Sequence, residues 1–375
     1  MPLRIVEVHP SSKKDFSRFI KFPLSLYSES TYYVPHLLYE RKKFFNSQKN
    51  PFFQHADVEY YLALSSRGEV LGRISAHIDW NYVRFQEEKV GFFGFFDSSE
   101  SVEVASALLE TACDFHRKRR MKRVLGPMNF NTNDEVGVLI KGFDAIPSLM
   151  TPYNYPYYGV LLERCGFVKV KDLYSYHYDY HPGAIPLVIQ RISERVKNRS
   201  RVYLRNLDMK NFASDLTLVK KIYNSAWGKN WGFVPMTDSE IEYLANNLKP
   251  IIDPSLALFA YADNQPVGFL LALPDYNLIL KDLKGRLLPF GFVKLLWKRR
   301  KIDRIRVLIV GIMEGYRRIG IESAMFEEIY RVGPLKGYIN GEASWILEDN
   351  AIPNRMIARV AGDPCKIYRV YGKEL

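Results

Sequence analysis

The chain has 375 residues, of which 47% are hydrophobic, 14% aromatic and 25% charged. That excludes wholesale disorder and suits about two domains, each able to bury its own core. A count of 53 Lys and Arg against 41 Asp and Glu leaves a formal charge of +12. Such a balance points to an anionic partner (nucleic acid, an anionic lipid surface or an anionic cofactor) and says nothing of fold.

Cys113, Cys165 and Cys365 stand far apart, forming neither a disulfide framework nor a paired zinc spacing, and the 7 histidines are scattered along the chain. A reducing compartment and no metal are therefore expected. The opening MPLRIVEVHP lacks a basic segment followed by an apolar one, and no apolar run reaches the roughly 18–20 residues that span a bilayer. A cytoplasmic protein is expected.

Along the first half, Leu3–Val8 reads as a strand and Ser11 opens a helix with Phe16, Phe19 and Ile20 at helical spacing. VEYYLALSS and EVLGRISAHID, joined at Arg67-Gly68, read as an antiparallel hairpin. KVGFFGFFD (89–97) reads as a strand buried on both faces. Ser101 caps a helix with Val104, Ala105, Leu108, Leu109 and Ala112 on one side, and RVLGPMNF follows as a strand. NYPYYGVLLERCGF (154–167) reads as a short helix ended by Gly166, and FVKVKDLYSYHYDY as a strand.

Residues 183–200 predict a linking helix, with Val188, Ile192 and Val196 on one face. The order then repeats. RVYLRNLD (201–208) is a strand, Leu216–Trp227 and Thr237–Leu248 are helices, and Thr237-x-x-Glu240 makes a capping box. Residues 255–274 form a hairpin turning near Asp263-Asn264, followed by the strand RIRVLIVGIM, the helix SAMFEEIYRVG, the strand GEASWILED, the helix Ile352–Val360 and the strand KIYRVYGKEL. This repetition predicts an α+β chain of two tandem domains, 1–182 and 201–375, each a mixed, mostly antiparallel sheet flanked by helices. An insertion, 277–301, interrupts the second copy.

The segment that carries chemistry is a buried strand, the loop EGYRRIGIES and a helix N-terminus. Such a turn aims backbone N–H groups and the positive helix end at one point, which makes an anion site. Gly320 lets the main chain approach a phosphate, and Arg317 and Arg318 suit phosphate oxygens. This segment resembles the pyrophosphate loop, Arg/Gln-x-x-Gly-x-Gly/Ala, of the GNAT superfamily of acyl-CoA-dependent acyltransferases. Glu322 stands where the pattern has Gly or Ala. The resemblance extends to SWILEDN, where Asn350 fits the family's asparagine at the start of the next helix; the family's general-acid tyrosine falls on Ile357 or Ala358 and is absent. It implies a GNAT fold, acetyl-CoA or a longer acyl-CoA as co-substrate, and cofactor contacts from Ile312, Met313, Arg317, Arg318, Ile319, Gly320, Ile321 and Asn350. The N–H of Ile312 or Met313 is implied as the oxyanion donor. The first copy has SSESVE at the corresponding loop, with no Arg and no Gly, which implies a degenerate domain that shapes the acceptor pocket or serves as scaffold.

Acyl transfer to an amine needs a base, an oxyanion donor and a proton for the departing thiolate. Glu342 and Glu348 alternate onto one side of GEASWILED and are both candidate bases. Tyr368 and Tyr371 are candidate acids. In the first half, Asn131, Asn133, Tyr153, Asn154 and Tyr158 form a polar cluster suited to an acceptor head group. The insertion alternates Leu, Ile, Phe and Trp with Lys and Arg, broken by Gly285, Pro289 and Gly291. It suits packing between the domains, a lid over an acyl chain, or peripheral contact with an anionic membrane at its cytoplasmic face.

The leading expectation is an acyl-CoA-dependent N-acyltransferase acting on a small-molecule or lipid amine. Alternatives are ceramide-synthase-like acylation of a long-chain lipid amine at a membrane surface, a non-catalytic CoA- or ligand-binding relict, and an aminoacyl-tRNA-dependent peptidyltransferase. The basic runs HRKRRMKR and KRRK motivate the last, but charge without an RNA-binding motif leaves nucleic acid unexpected as a partner.

Overall fold

The computed structural model describes residues 3–180, 185–199, 202–287 and 291–375. Outside them lie both ends of the expected first domain, the ends of the linking helix, position 201 of the next strand and the expected helix breaker Pro289. Contacts cluster into two units. The first comprises Met1–Tyr174, Asn277–Trp297 and Cys365–Leu375, and the second Ser175–Tyr276 and Lys298–Pro364. The break therefore falls at Tyr174/Ser175 rather than in the linking helix. Much of the expected insertion (277–297) and the last strand group with the first unit.

In the first unit run β1 (Arg4–Glu7), α1 (Lys13–Leu26), α2 (Leu38–Phe44), β2 (Ala56–Leu64), β3 (Val70–Asp79), α3 (Trp80–Gln86), β4 (Val90–Ser98), α4 (Val102–Lys118), β5 (Arg123–Gly126), β6 (Val138–Lys141) and α5 (Tyr157–Arg164). β7 (Val168–Asp179) follows, its residues from Ser175 onward counted with the second unit. The second unit continues with α6 (Leu187–Arg199), β8 (Val202–Asn206), α7 (Phe212–Trp227), α8 (Asp238–Leu248), β9 (Ala257–Ala262) and β10 (Gln265–Pro274). Helices α9 (Asn277–Leu283) and α10 (Gly291–Lys298) come next, then β11 (Arg304–Ile312), α11 (Ile321–Val332), β12 (Asn340–Leu347), α12 (Ala351–Ala361) and β13 (Lys366–Glu374).

Local chemistry accounts for the borders. The Ser101 hydroxyl accepts from Val104 N–H at the start of α4, and Thr237 and Glu240 close a reciprocal capping box on α8. The two-residue turn between β9 and β10 places Asp263 and Asn264 at φ 46° and 62°, a conformation these short polar side chains tolerate. β4 is buried along its whole length, as its unbroken apolar run predicts. RVLGPMNF forms a shorter strand than expected: β5 ends at Gly126, because Pro127 has no N–H to give a ladder.

Both units are α+β with mixed, mostly antiparallel sheets. The first has the strand order β1-β2-β3-β4-β5-β13, with β6 also against β13, and its one parallel neighbour pair there is β4/β5. The second has the order β12-β11-β10-β9-β8, and β11/β12 is its parallel pair. Phe16, Phe19, Phe45, Tyr60, Phe95 and Phe130 fill one core of the first unit with edge-on and stacked rings.

Candidate functional site

The parallel ladder between β11 and β12 covers only Arg304–Val307 against Asn340–Ala343. Both strands run on, to Ile312 and Leu347, without pairing to each other. On its other side β11 is paired to β10 throughout, with an irregularity at Leu271/Ala272 that skips Leu308. Met313 N–H donates to Val267 O at 2.8 Å, which fixes the phase of that ladder. Gly311 exchanges bonds with Phe269, while Val310 and Ile312 turn their N–H and C=O groups away from β10. The parted strands thus leave a strand edge with outward-facing amides. The same bond corrects one expectation: the N–H of Met313 is spent on Val267 and is no oxyanion donor, whereas that of Ile312 faces the edge.

At the end of β11 the turn Arg317–Gly320 leads into α11. Arg318 and Gly320 have positive φ (65° and 98°), and the alternation makes successive N–H groups converge. Among the described residues, the N–H groups of Arg318 to Glu322 have no main-chain acceptor. Arg317, Arg318 and Ile319 are exposed, while Gly320 and Ile321 are buried.

Two details depart from the sequence reading. Arg317 donates to the carbonyls of Ile312 and Ala226, so its cation also closes the C-terminal end of α7. Gly320 also meets a neighbour that the sequence does not reveal. A Cβ there would lie 2.4 Å from Ile192 Cγ2 and 3.1 Å from Val196 Cγ2. The close approach that its lack of a side chain permits is that of α6.

Glu342 is fully buried on β12, and its register partner across the parallel ladder is the equally buried Arg306. Arg306 Nε donates to Ser344 Oγ at 2.9 Å and Nη2 to Ser344 O at 3.1 Å. Main-chain pairing stops at Ala343, so this side chain takes over at the next residue and holds β12 where it leaves β11. Burial pushes the Tyr178 phenol well up, with Tyr330 and Glu342 nearby adding to the shift and Tyr180, whose hydroxyl donates to it at 3.1 Å, opposing it.

Glu348 is half-buried at the end of β12, and Asn350 caps α12 without a side-chain bond. Asn354 ties that end instead, donating to Leu347 O at 2.8 Å and accepting from Tyr176 Oη at 3.1 Å. Tyr368 is fully buried in the first unit, opposite Leu139. Tyr371 donates there to Glu163 at 3.0 Å. Sequence reasoning singled out neither Arg306 nor Asn354. An arginine set among apolar residues of a strand is the available signal for the first.

The first unit repeats the geometry of parted strands with a different outcome. β4 and β5 pair only over Val90–Phe92 and Arg123–Leu125. Beyond them the chain's own loop enters. Met128 N–H donates to Phe93 O at 2.8 Å, and Phe95 N–H donates to Asn129 Oδ1 at 2.7 Å. A Cβ on Gly94 would lie 2.0 Å from Met128 O.

The residues expected to hold an acceptor are engaged within the fold. Asn131 accepts from Asn133 N–H, Asn154 bridges both main-chain groups of Leu139, Tyr153 accepts from Ser30, and Tyr158 meets Tyr27 and Ser98 N–H. A nearby cavity of about 30 Å³ between Tyr33, His36, Arg41, Arg73 and Glu135 has room for a water or two. Among the described residues no cluster of three metal-ligating side chains occurs, and no helix is long and apolar enough to cross a membrane.

No family model matches the chain. All of it aligns with 98% of a solved tandem GNAT protein from the clavulanic acid biosynthesis pathway, with a TM-score of 0.57 at 11% identity. The fold is therefore that of the tandem GNAT proteins. The chain is 35% identical over 370 residues, 96% of its length and 95% of the relative's, to the bacterial ceramide synthase of Caulobacter vibrioides (strain NA1000 / CB15N). It is 33% identical over 371 residues, 97% and 94% of the two lengths, to protein YghO of Escherichia coli (strain K12). The chain belongs to this family and is an acyl-CoA-dependent N-acyltransferase.

Proposed function

We propose that the donor is a fatty acyl-CoA and the acceptor the amine of a long-chain lipid base, so that the product is an N-acyl lipid amide. The observation that carries the cofactor part is the parting of β11 from β12. The pantetheine arm of CoA is an extended chain with two amides, and the outward groups of Val310 and Ile312 can pair with it as a neighbouring strand would. The converging N–H groups from Arg318 to Glu322, at the start of α11, suit the diphosphate. The lipid acceptor rests on the name of the Caulobacter relative. A lipid amine is met at a membrane, so peripheral contact with an anionic surface belongs to the same proposal.

In the reaction the amine nitrogen attacks the thioester carbonyl. A C–N bond forms, the C–S bond breaks, the amine proton goes to Glu342, directly or through water, and the departing thiolate takes up that proton in turn, which leaves Glu342 ionised for the next cycle. The outward N–H of Ile312, facing that edge, is the group proposed to stabilise the oxyanion. Glu348 is the second candidate base.

The test is turnover by the full chain with palmitoyl-CoA and a long-chain 2-amino-1,3-diol in detergent, following thiol release and amide mass. We expect product with this pair, and a loss of at least ~100-fold in kcat in Glu342→Gln with palmitoyl-CoA affinity preserved. Binding of palmitoyl-CoA without turnover against any amine would reduce the protein to a binding module. No binding of acetyl- or palmitoyl-CoA would remove the proposal.

A further inference from the structure

We propose that α10 is a docking helix for an anionic lipid bilayer, inserted sideways into the lipid interface. The purpose of such docking rests on the lipid-acceptor reading, but its evidence is separate. The exposed positions of α10 are Phe292, Val293, Leu296 and Trp297, at 51%, 64%, 43% and 67% exposure. They stand as two i, i+4 pairs on one face, and every one is large and apolar. The solvent side of this helix is hydrocarbon, while Lys294, Leu295 and Lys298 are half-buried. A helix of a soluble surface turns its apolar stripe inward, and a clustered patch of this kind marks a docking site.

The helix is held in this pose. Lys294 Nζ donates to Asp282 O at 3.2 Å, and in the turn before it Gly285 O accepts from Leu38 N–H at 3.0 Å, fixing that turn beside α2. Eight residues give a length of about 12 Å, enough to lie in an interface and too short to cross one.

Charge complementarity selects the occupant. Lys298 and the turn Arg299–Lys301 follow the apolar face directly in the chain, and Arg299, Arg300 and Lys301 are exposed. Apolar side chains with a tryptophan among them, flanked by cations, match a bilayer whose headgroups carry negative charge. A second copy of the chain would bring the same run of cations to this face rather than an opposite charge.

Flotation of the full chain with phosphatidylcholine vesicles, alone and with one quarter phosphatidylglycerol, tests this. The expected result is partition onto the anionic vesicles, weakened at 0.5 M salt and much weaker on phosphatidylcholine alone. Each neutralised cation should cost about fivefold, so Arg299→Gln, Arg300→Gln and Lys301→Gln together should cost about 100-fold. The double substitution Phe292→Ser and Trp297→Ser should abolish binding, with the far-ultraviolet dichroism of the chain unchanged.

Turnover on detergent-dispersed acceptor should be the same for wild type and variants. Loss of that turnover in the wild type would sink the lipid-amine reading and leave docking intact. Equal partition of wild type and variants would overturn docking. So would a concentration-dependent dimer that the serine variants abolish in a protein that ignores vesicles.

Discussion

The two parted strand pairs, β4/β5 and β11/β12, are the same device finished in two ways. In the first unit the gap is closed from within: Met128 bonds Phe93, Asn129 bonds Phe95, and the Met128 carbonyl sits against Gly94. In the second, Val310 and Ile312 face an edge that β12 has left, and Arg306 secures the departing strand at Ser344. If the edge of β11 takes the cofactor as proposed, the first unit keeps the same fold without such an edge, because its own loop supplies the hydrogen bonds a ligand would make.

The comparison can be broken in solution, and the largest expected effect concerns acid. His77 and His116 are buried in the first unit, with burial pushing them down to about 3 and about 4. The unfolded chain takes up these protons near pH 6.5, whereas the fold refuses them until far lower. Stability is therefore complete above pH 6.5 and declines as pH falls towards 4, by roughly 2 kcal/mol for each histidine between pH 7 and 5. In the second unit His177 is exposed. Calorimetry across pH 5–7 should show the first unit weakening, with a shallower slope in His77→Phe. A second unit that softens first would contradict this contrast.

Gly320→Ala comes next. The new methyl meets Ile192 at a residue with φ 98°, so a loss of about 3 kcal/mol is expected, part of it recovered by adding Ile192→Ala. Unchanged thermal unfolding with lost acyl-CoA binding would instead assign the glycine wholly to a phosphate. Asn129→Ala should cost about 2 kcal/mol, because it strands the Phe95 N–H and one Glu135 oxygen. It should leave acyl-CoA affinity untouched, and a fall in affinity would show that the first unit also holds the cofactor. The smallest effect is Val310→Pro, which deletes one outward N–H outside the β10 ladder. About tenfold in acyl-CoA affinity should go, read by titration calorimetry, with little change in melting.

Local chemistry makes much of this fold legible in the sequence. The Asp263-Asn264 turn, the Thr237–Glu240 box and the apolar run of β4 each declare themselves within a few residues. The repeat of element order was visible for the same reason. The non-local parts were hidden. GPMNFNTNDEVG reads as a polar loop suited to a head group, and only tertiary structure shows Asn129 filling the gap beside Phe95. Arg306 and Glu342 are 36 residues apart, and a parallel register makes them neighbours. Gly320 reads as a point of close approach, but a glycine does not say what approaches, and Ile192 of α6 does so here. Nor does the chain reveal that the end of α7 lies within reach of Arg317.

Hydrogen–deuterium exchange of the full chain with and without palmitoyl-CoA compares both strand pairs in one experiment. The account predicts that added ligand slows exchange at Val310, Ile312 and Arg318 to Glu322, and leaves Phe93 to Phe96 and Met128 to Phe130 unchanged. Slowing confined to the β4 segment, or absent from both, would contradict it.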